Sequence, residues 1–292
     1  MIGTIWSEYQ LGTVTHIKKL HSGVRNLSFL VNHSVILRFN TRDRDSAKFQ
    51  SERLAYEILA RQSIPVPQVV VLDDSHQLTP YDFIITARLP GQTVAQSWES
   101  LSSLQLYTLI YEIGKRLVRI HENTFPAFGK LHSLNYTSWA DYVYDYIERY
   151  LRLANDNHLL DKDLKSSVER SREYAMLDFA GVTSPALIHG DFHYENILQV
   201  NGQLSGILDF EWALAGDLSY DFMIADIRER MVPKSEPILG TGYQSLRPFS
   251  PEHERRVLWY RLFLQLEETG MSVWAKVSAL WIPYNTYANL LC

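Results

Sequence analysis

Leu187-Ile188-His189-Gly190-Asp191-Phe192-His193-Tyr194-Glu195-Asn196-Ile197-Leu198 sets a short polar loop between two apolar runs and places an Asp and an Asn five positions apart. Moving a phosphoryl group onto a hydroxyl needs a carboxylate that orients the hydroxyl and takes up its proton. It also needs oxygen ligands for a metal that bridges the phosphates. Asp191 and Asn196 supply one of each. Just downstream, Asn201-Gly202 is a pair strongly favoured in two-residue type I′ turns, so the chain is expected to fold back as a hairpin. Pairing Val200 with Gln203 and counting back sets Asn196 opposite Ile207 and Tyr194 opposite Asp209, which brings Asp209 to within roughly 7–8 Å of Asn196 between backbones. Both side chains could then hold one Mg²⁺ cluster.

The same loop also reads His189-x-Asp191-x-His193, three residues that would share a strand face, as the ligands of a metallohydrolase do. That alternative gives no part to Asn196, Asp209, Arg38 or Glu52, and it needs another zinc ligand from elsewhere. A nucleotide-binding protein that has lost catalysis is a second alternative, opposed by the presence of the proton acceptor and both metal ligands. Asp217 reads as the N-cap of a helix over residues 218–231, and His121 as a structural residue.

Working outward, residues 14–20, 27–31 and 35–39 are short β-branched and aromatic runs with turn residues between them, as in an antiparallel meander. Residues 46–62 carry Phe49, Ala55, Ile58 and Leu59 near helical spacing, and Ile64-Pro65-Val66-Pro67 stops that helix. Glu52 shares the apolar face, whereas Glu57 lies about 140° around the helix toward solvent. A carboxylate on an apolar face calls for a cation, and Arg38 is the leading candidate. Strands over 68–72 and 83–87 follow, and Leu89-Pro90-Gly91 breaks the chain. Beyond residue 100 the pattern is mainly helical. Leu106, Leu109, Ile110, Ile113, Leu117 and Ile120 form a core-facing stripe, and residues 139–153, 160–179 and 252–269 read as further helices.

His189-Gly190-Asp191 through Asn196, then Ile207-Leu208-Asp209-Phe210-Glu211 and Gly216-Asp217, resembles the signature of the aminoglycoside phosphotransferase and choline kinase family. Val35-Ile36-Leu37-Arg38, Ser51-Glu52-Arg53 and Ile64-Pro65-Val66-Pro67 resemble that family's first lobe in the expected order, so the likeness runs over nearly the whole chain. It implies an α+β, protein-kinase-like fold. Residues 1–88 would be an antiparallel sheet plus one helix over the nucleotide, and residues 89–292 a mainly helical lobe. It further implies ATP, with GTP as an alternative, and Mg²⁺. Asp191 would be the catalytic aspartate, Asn196 and Asp209 the metal ligands, and Arg38 and Glu52 the ion pair of the first lobe. Ser22 and Gly23 would lie in the loop over the phosphates, and Ala87 and Leu89 would face adenine through backbone groups. The chain departs from the pattern at Arg38, where many members have Lys, in having one glycine in the phosphate loop, and at Glu195, where a small residue is common.

Composition narrows the partners. With 46% hydrophobic residues the chain can bury a real core, and its one cysteine, Cys292, allows neither an intrachain disulfide nor a cysteine-based zinc site. The apolar runs fall short of the ~18–20 residues that span a bilayer, and the first residues lack a basic-then-apolar pattern, so no membrane partner and a cytoplasmic location are expected. A net charge of −5 argues against nucleic acid. Residues 1–90 carry a net +2 and residues 91–292 a net −7, which suggests a small, cationic, hydroxyl-bearing acceptor such as an aminoglycoside, with choline, an amino-alcohol or another metabolite as the alternative. Glu195, Glu211, Glu267 and Glu268 are the candidate pocket carboxylates, with Asp226 and Glu229 behind them.

Overall fold

The computed structural model describes residues 1–20, 26–41, 47–156, 159, 162–223 and 232–271, with residues 162, 164 and 268–271 as backbone alone. A short helix α1 (Ile2–Glu8) precedes strands β1 (Ile17–Lys19), β2 (Asn26–Val31) and β3 (Val35–Asn40), helix α2 (Lys48–Ala60), and strands β4 (Val69–Asp73) and β5 (Phe83–Ala87). The five strands form one antiparallel sheet in the order β1-β2-β3-β5-β4. Alternation along β2 and β3 turns Val31, Leu37 and Phe39 to one face. There Phe83, Ile85, Ile5 and Trp6 close a small core, so α1, which the sequence pattern did not announce, caps the sheet.

Helix α2 faces the other way. Ala55, Tyr56 and Leu59 join Leu109, Ile113 and Leu117 of the second lobe in a single cluster that also holds Phe192 and Phe210. The first lobe's helix is thus seated in the second lobe's core.

After β6 (Gln92–Thr93) and α3 (Val94–Ser97) comes α4 (Ser103–His121), started by a capping box between Ser102 and Gln105. Its expected stripe is buried except for the half-buried Leu106. Strands β7 (Phe128–Lys130) and β8 (Ser133–Tyr136) lead to α5 (Trp139–Asp156) and α6 (Lys162–Phe179). Then follow β9 (Ala186–Ile188), β10 (Ile197–Val200), β11 (Gln203–Ile207), β12 (Leu214–Gly216), α7 (Ser235–Gln244) and α8 (His253–Met271). Two small sheets, β11-β10-β6 and β8-β7-β12-β9, hold the central loops between the helices.

Three expectations need correction. The turn at Asn201-Gly202 has positive φ at both residues and Val200 does pair with Gln203, but a bulge shifts the register so that Leu198 faces Gly206. Ser205 is the extra residue, and its hydroxyl donates to Pro90 O at 2.8 Å, tying the hairpin to the linker between the lobes. Asn196 therefore faces Leu208, whose N–H donates to Asn196 O at 2.8 Å, and not Ile207. Where a helix was expected from residue 218, the chain forms a 3₁₀ turn over Leu218–Phe222, and residues 224–231 lie outside the described set. The second lobe also has more strand than the single island expected, and α7 was not foreseen.

Candidate active site

The loop after β9 is held by its own backbone. His189 and Gly190 N–H donate to the two oxygens of the fully buried Asp221 carboxylate at 2.8 and 2.9 Å. His121 Nε2–H donates to the same carboxylate at 3.0 Å, and the Tyr243 hydroxyl lies 3.0 Å from His121 Nδ1. The Gly190 φ is +84°, and a Cβ there would lie 2.1 Å from Trp212 O, so glycine is required on both counts. His189 uses both ring nitrogens on main chain: Nδ1 accepts the Asp191 N–H at 3.2 Å and Nε2–H donates to Leu208 O at 2.8 Å. Burial pulls its pKa down against the pull of Asp221 and Asp191, in keeping with that neutral tautomer.

Asp191 is then presented with its side chain 27% exposed, and His193 Nε2–H meets its Oδ2 at 3.2 Å. Glu195 N–H donates to His193 Nδ1 at 3.2 Å, so the ring turns its other nitrogen to Asp191. Asn196 Nδ2 donates to Asp191 O at 3.0 Å, which fixes the amide orientation and leaves Oδ1 as an acceptor.

Asp209 ends the hairpin in a left-handed conformation, φ 65° and ψ 56°. Arg38 Nη1 donates to its Oδ1 at 3.1 Å, while Arg38 Nη2 pairs with Glu52 Oε2, the ion pair expected from the sequence. Burial pushes the Glu52 carboxyl up and Arg38 opposes it; burial works against the Arg38 charge, and Glu52 followed by Asp209 holds it in place. The Tyr56 hydroxyl donates to Glu52 Oε1 at 2.5 Å and accepts the Asp209 N–H at 3.0 Å. Asp191, Asn196, Asp209, Arg38 and Glu52 thus belong to one connected cluster.

The remaining expected residues are placed otherwise. Glu211 is buried between the lobes, taking Asn26 Nδ2 at 2.6 Å and Lys48 Nζ at 3.4 Å. Glu267 on α8 takes the hydroxyls of Tyr146 and, at 3.0 Å, Tyr150. Glu195, 46% exposed, stands beside His193 at the loop surface. Ala87 N–H is bonded to Gln68 O, and the Leu89 side chain packs on Gly206. Ser22, Gly23, Asp226, Glu229 and the Glu268 side chain lie outside the described residues. Sequence reasoning passed over Tyr56 and gave no role to Asp221. Tyr56 follows Glu52 by one helical turn, a spacing that could have paired them. Asp221 has no local signal.

An amide oxygen at Asn196 and a carboxylate at Asp209 make a hard, all-oxygen donor pair, which suits Mg²⁺. Zinc has no such seat at His189, whose two nitrogens are already used. Among the described residues no helix is long and apolar enough to cross a membrane.

A five-stranded sheet over a mainly helical lobe, with this loop and hairpin between them, defines the kinase-like class of phosphoryl-transfer folds. The profile of the phosphotransferase enzyme family matches residues 16–249, and the chain belongs to that family. Its sequence is 30% identical over 210 residues to clavilactone A biosynthesis cluster protein Y of Ampulloclitocybe clavipes, covering 57% of this chain and 50% of that protein. It is 23% identical to a hygromycin-B 4-O-kinase of Escherichia coli, covering 72% of this chain and 61% of that one. The chain thus spans half to three fifths of the length of those two relatives. A homoserine kinase of Neisseria meningitidis serogroup B is 24% identical, covering 85% of this chain and 79% of the kinase. In fold, the ADP-bound aminoglycoside phosphotransferase APH(2'')-Ib superposes with a TM-score of 0.73 at 19% identity, covering 100% of this chain and 97% of that one.

Proposed function

We propose that this chain is an ATP- and Mg²⁺-dependent phosphotransferase that moves the γ-phosphate onto a hydroxyl of a small, cationic, aminoglycoside-like molecule. The observation that carries the reading is the bond from Leu208 N–H to Asn196 O at 2.8 Å, which joins the Asp191 loop to the Asp209 turn in one corner. In that corner Asp191 orients the acceptor hydroxyl and takes its proton. The His193 Nε2–H holds the Asp191 carboxylate in place. Asn196 and Asp209 would hold Mg²⁺, which when bound neutralises charge between the β- and γ-phosphates. Arg38, kept in position by Glu52, would bind the phosphates. Residues 1–88 cover the nucleotide, with the Ala87 and Leu89 backbone along adenine. Residues 89–292 supply the acceptor side. GTP is the second donor to test.

The cationic acceptor rests on the −7 of residues 91–292 and on exposed Glu195 at the loop. Glu267, framed by Tyr146 and Tyr150, is the second carboxylate for such a ligand. A metabolite amino-alcohol is the alternative, favoured by the likeness to homoserine kinase over most of both chains. Acceptor-dependent ADP release, measured for an aminoglycoside, an amino-alcohol and a neutral sugar at low and high salt, tests the choice. A cationic acceptor should be preferred, and its kcat/KM should fall as salt shortens the Debye length below about 8 Å. Preference for the neutral sugar, or no salt dependence, overturns the cationic reading.

A further inference from the structure

Tyr56 is 3% exposed, and its ring meets the Phe210 ring edge-on at 5.7 Å between centroids, so at first sight it is a core residue. Its hydroxyl does more. One oxygen donates to Glu52 and accepts from the Asp209 main chain, while Arg38 bridges Glu52 and the Asp209 carboxylate on the other side. The four residues close a ring in which both the N–H and the carboxylate of Asp209 are held by the first lobe's helix and strand. Only a group that donates and accepts at once can take the Tyr56 place, and burial, then Glu52, keeps the phenol protonated far above neutral pH. A left-handed conformation is unfavourable for a residue with a Cβ and persists at Asp209 only where its surroundings hold it.

We infer that Tyr56 is a positioning residue for phosphoryl transfer: its hydroxyl pins the Asp209 backbone in the left-handed conformation in which the carboxylate meets Arg38. The inference rests on Asp209 being the metal-facing carboxylate.

The test is Tyr56→Phe in the full chain, which keeps the ring and removes the hydroxyl. ATP binding is titrated by calorimetry with and without Mg²⁺, and turnover is titrated with Mg²⁺ at saturating ATP. Metal-free ATP affinity should stay near wild type. The Mg²⁺ concentration at half-effect should rise about tenfold in both titrations, the scale of one hydrogen bond to a constrained group. Leu59→Ala, a core truncation on the same helix, should lower the melting temperature and leave the Mg²⁺ midpoint where it is. An unmoved midpoint in Tyr56→Phe, or an equal shift in Leu59→Ala, overturns the inference, since Tyr56 would then act through packing alone. A wild-type protein that binds Mg²⁺–ATP and phosphorylates no acceptor sinks the proposed function, while the binding midpoint still decides the role of Tyr56. ATP binding indifferent to Mg²⁺ in the wild type overturns both.

Discussion

Arg38 explains its own departure from lysine. Its planar fork sends Nη1 to Asp209 and Nη2 to Glu52, two carboxylates from two lobes, and an ammonium at the end of a flexible stem is a single point charge. Arg38→Lys keeps the charge and should leave one carboxylate poorly held. The expected outcome is a fall in kcat/KM of about tenfold or more, with about 1–3 kcal/mol of stability lost in urea unfolding. Glu57→Gln is the control: Glu57 is 50% exposed and pairs with the exposed Arg53, so stability should change by less than ~0.5 kcal/mol. Equal effects of the two substitutions would remove Arg38 from the corner. Glu52 was legible in the sequence because it shares a helix face with Phe49, Ala55 and Leu59. Tyr56 sits on that face too, and an aromatic residue there reads as packing; its second bond reaches residue 209, beyond any local pattern. Asp221 was hidden for the same reason, since its partners are backbone N–H groups about thirty residues away.

Among the elements, long periodic helices such as α4 were readable, and short strands were not. Strands β7, β8 and β12 have three or four residues each, too few for an alternation to show. Helix α7 contains Pro237, Gly240 and Gly242, residues that argue against a helix. Gly242 and, on α4, Gly114 let the two helices touch: a Cβ at Gly242 would lie 2.1 Å from Tyr111 O, and one at Gly114 would lie 2.2 Å from Leu239 O. Gly114→Ala must push the two helices apart and should cost about 1–3 kcal/mol or more, even though alanine is the better helix former. Gly3→Ala on α1 has open space around it and should be neutral or slightly stabilising. Thermal melts of both variants decide; an unchanged melting temperature for Gly114→Ala would contradict the close helix contact. The hairpin was readable through Asn201-Gly202, and its register was not, because the bulge at Ser205 answers to Pro90, 115 positions away.

At the scale of the molecule the two-lobed α+β plan was legible from the order of its signals, strands with one helix and then helices around the loop. What the order concealed is that α2 shares the second lobe's core, so the corner at Asp209 is built from both lobes at once. The charge asymmetry was legible as a total and misleading in part. Glu211 proves to be paired with Asn26 and Lys48 between the lobes, whereas Glu195 stays exposed at the loop. All these features converge on the claim that Asp191 takes the proton of an acceptor hydroxyl in a Mg²⁺–ATP-dependent transfer. The most direct measurement is acceptor-dependent ADP release by Asp191→Asn beside wild type, with Mg²⁺–ATP affinity determined for both. Turnover lower by about 10²–10⁴-fold, with affinity largely kept, is the outcome expected from that claim. Near-wild-type turnover in a variant that still binds Mg²⁺–ATP would contradict it.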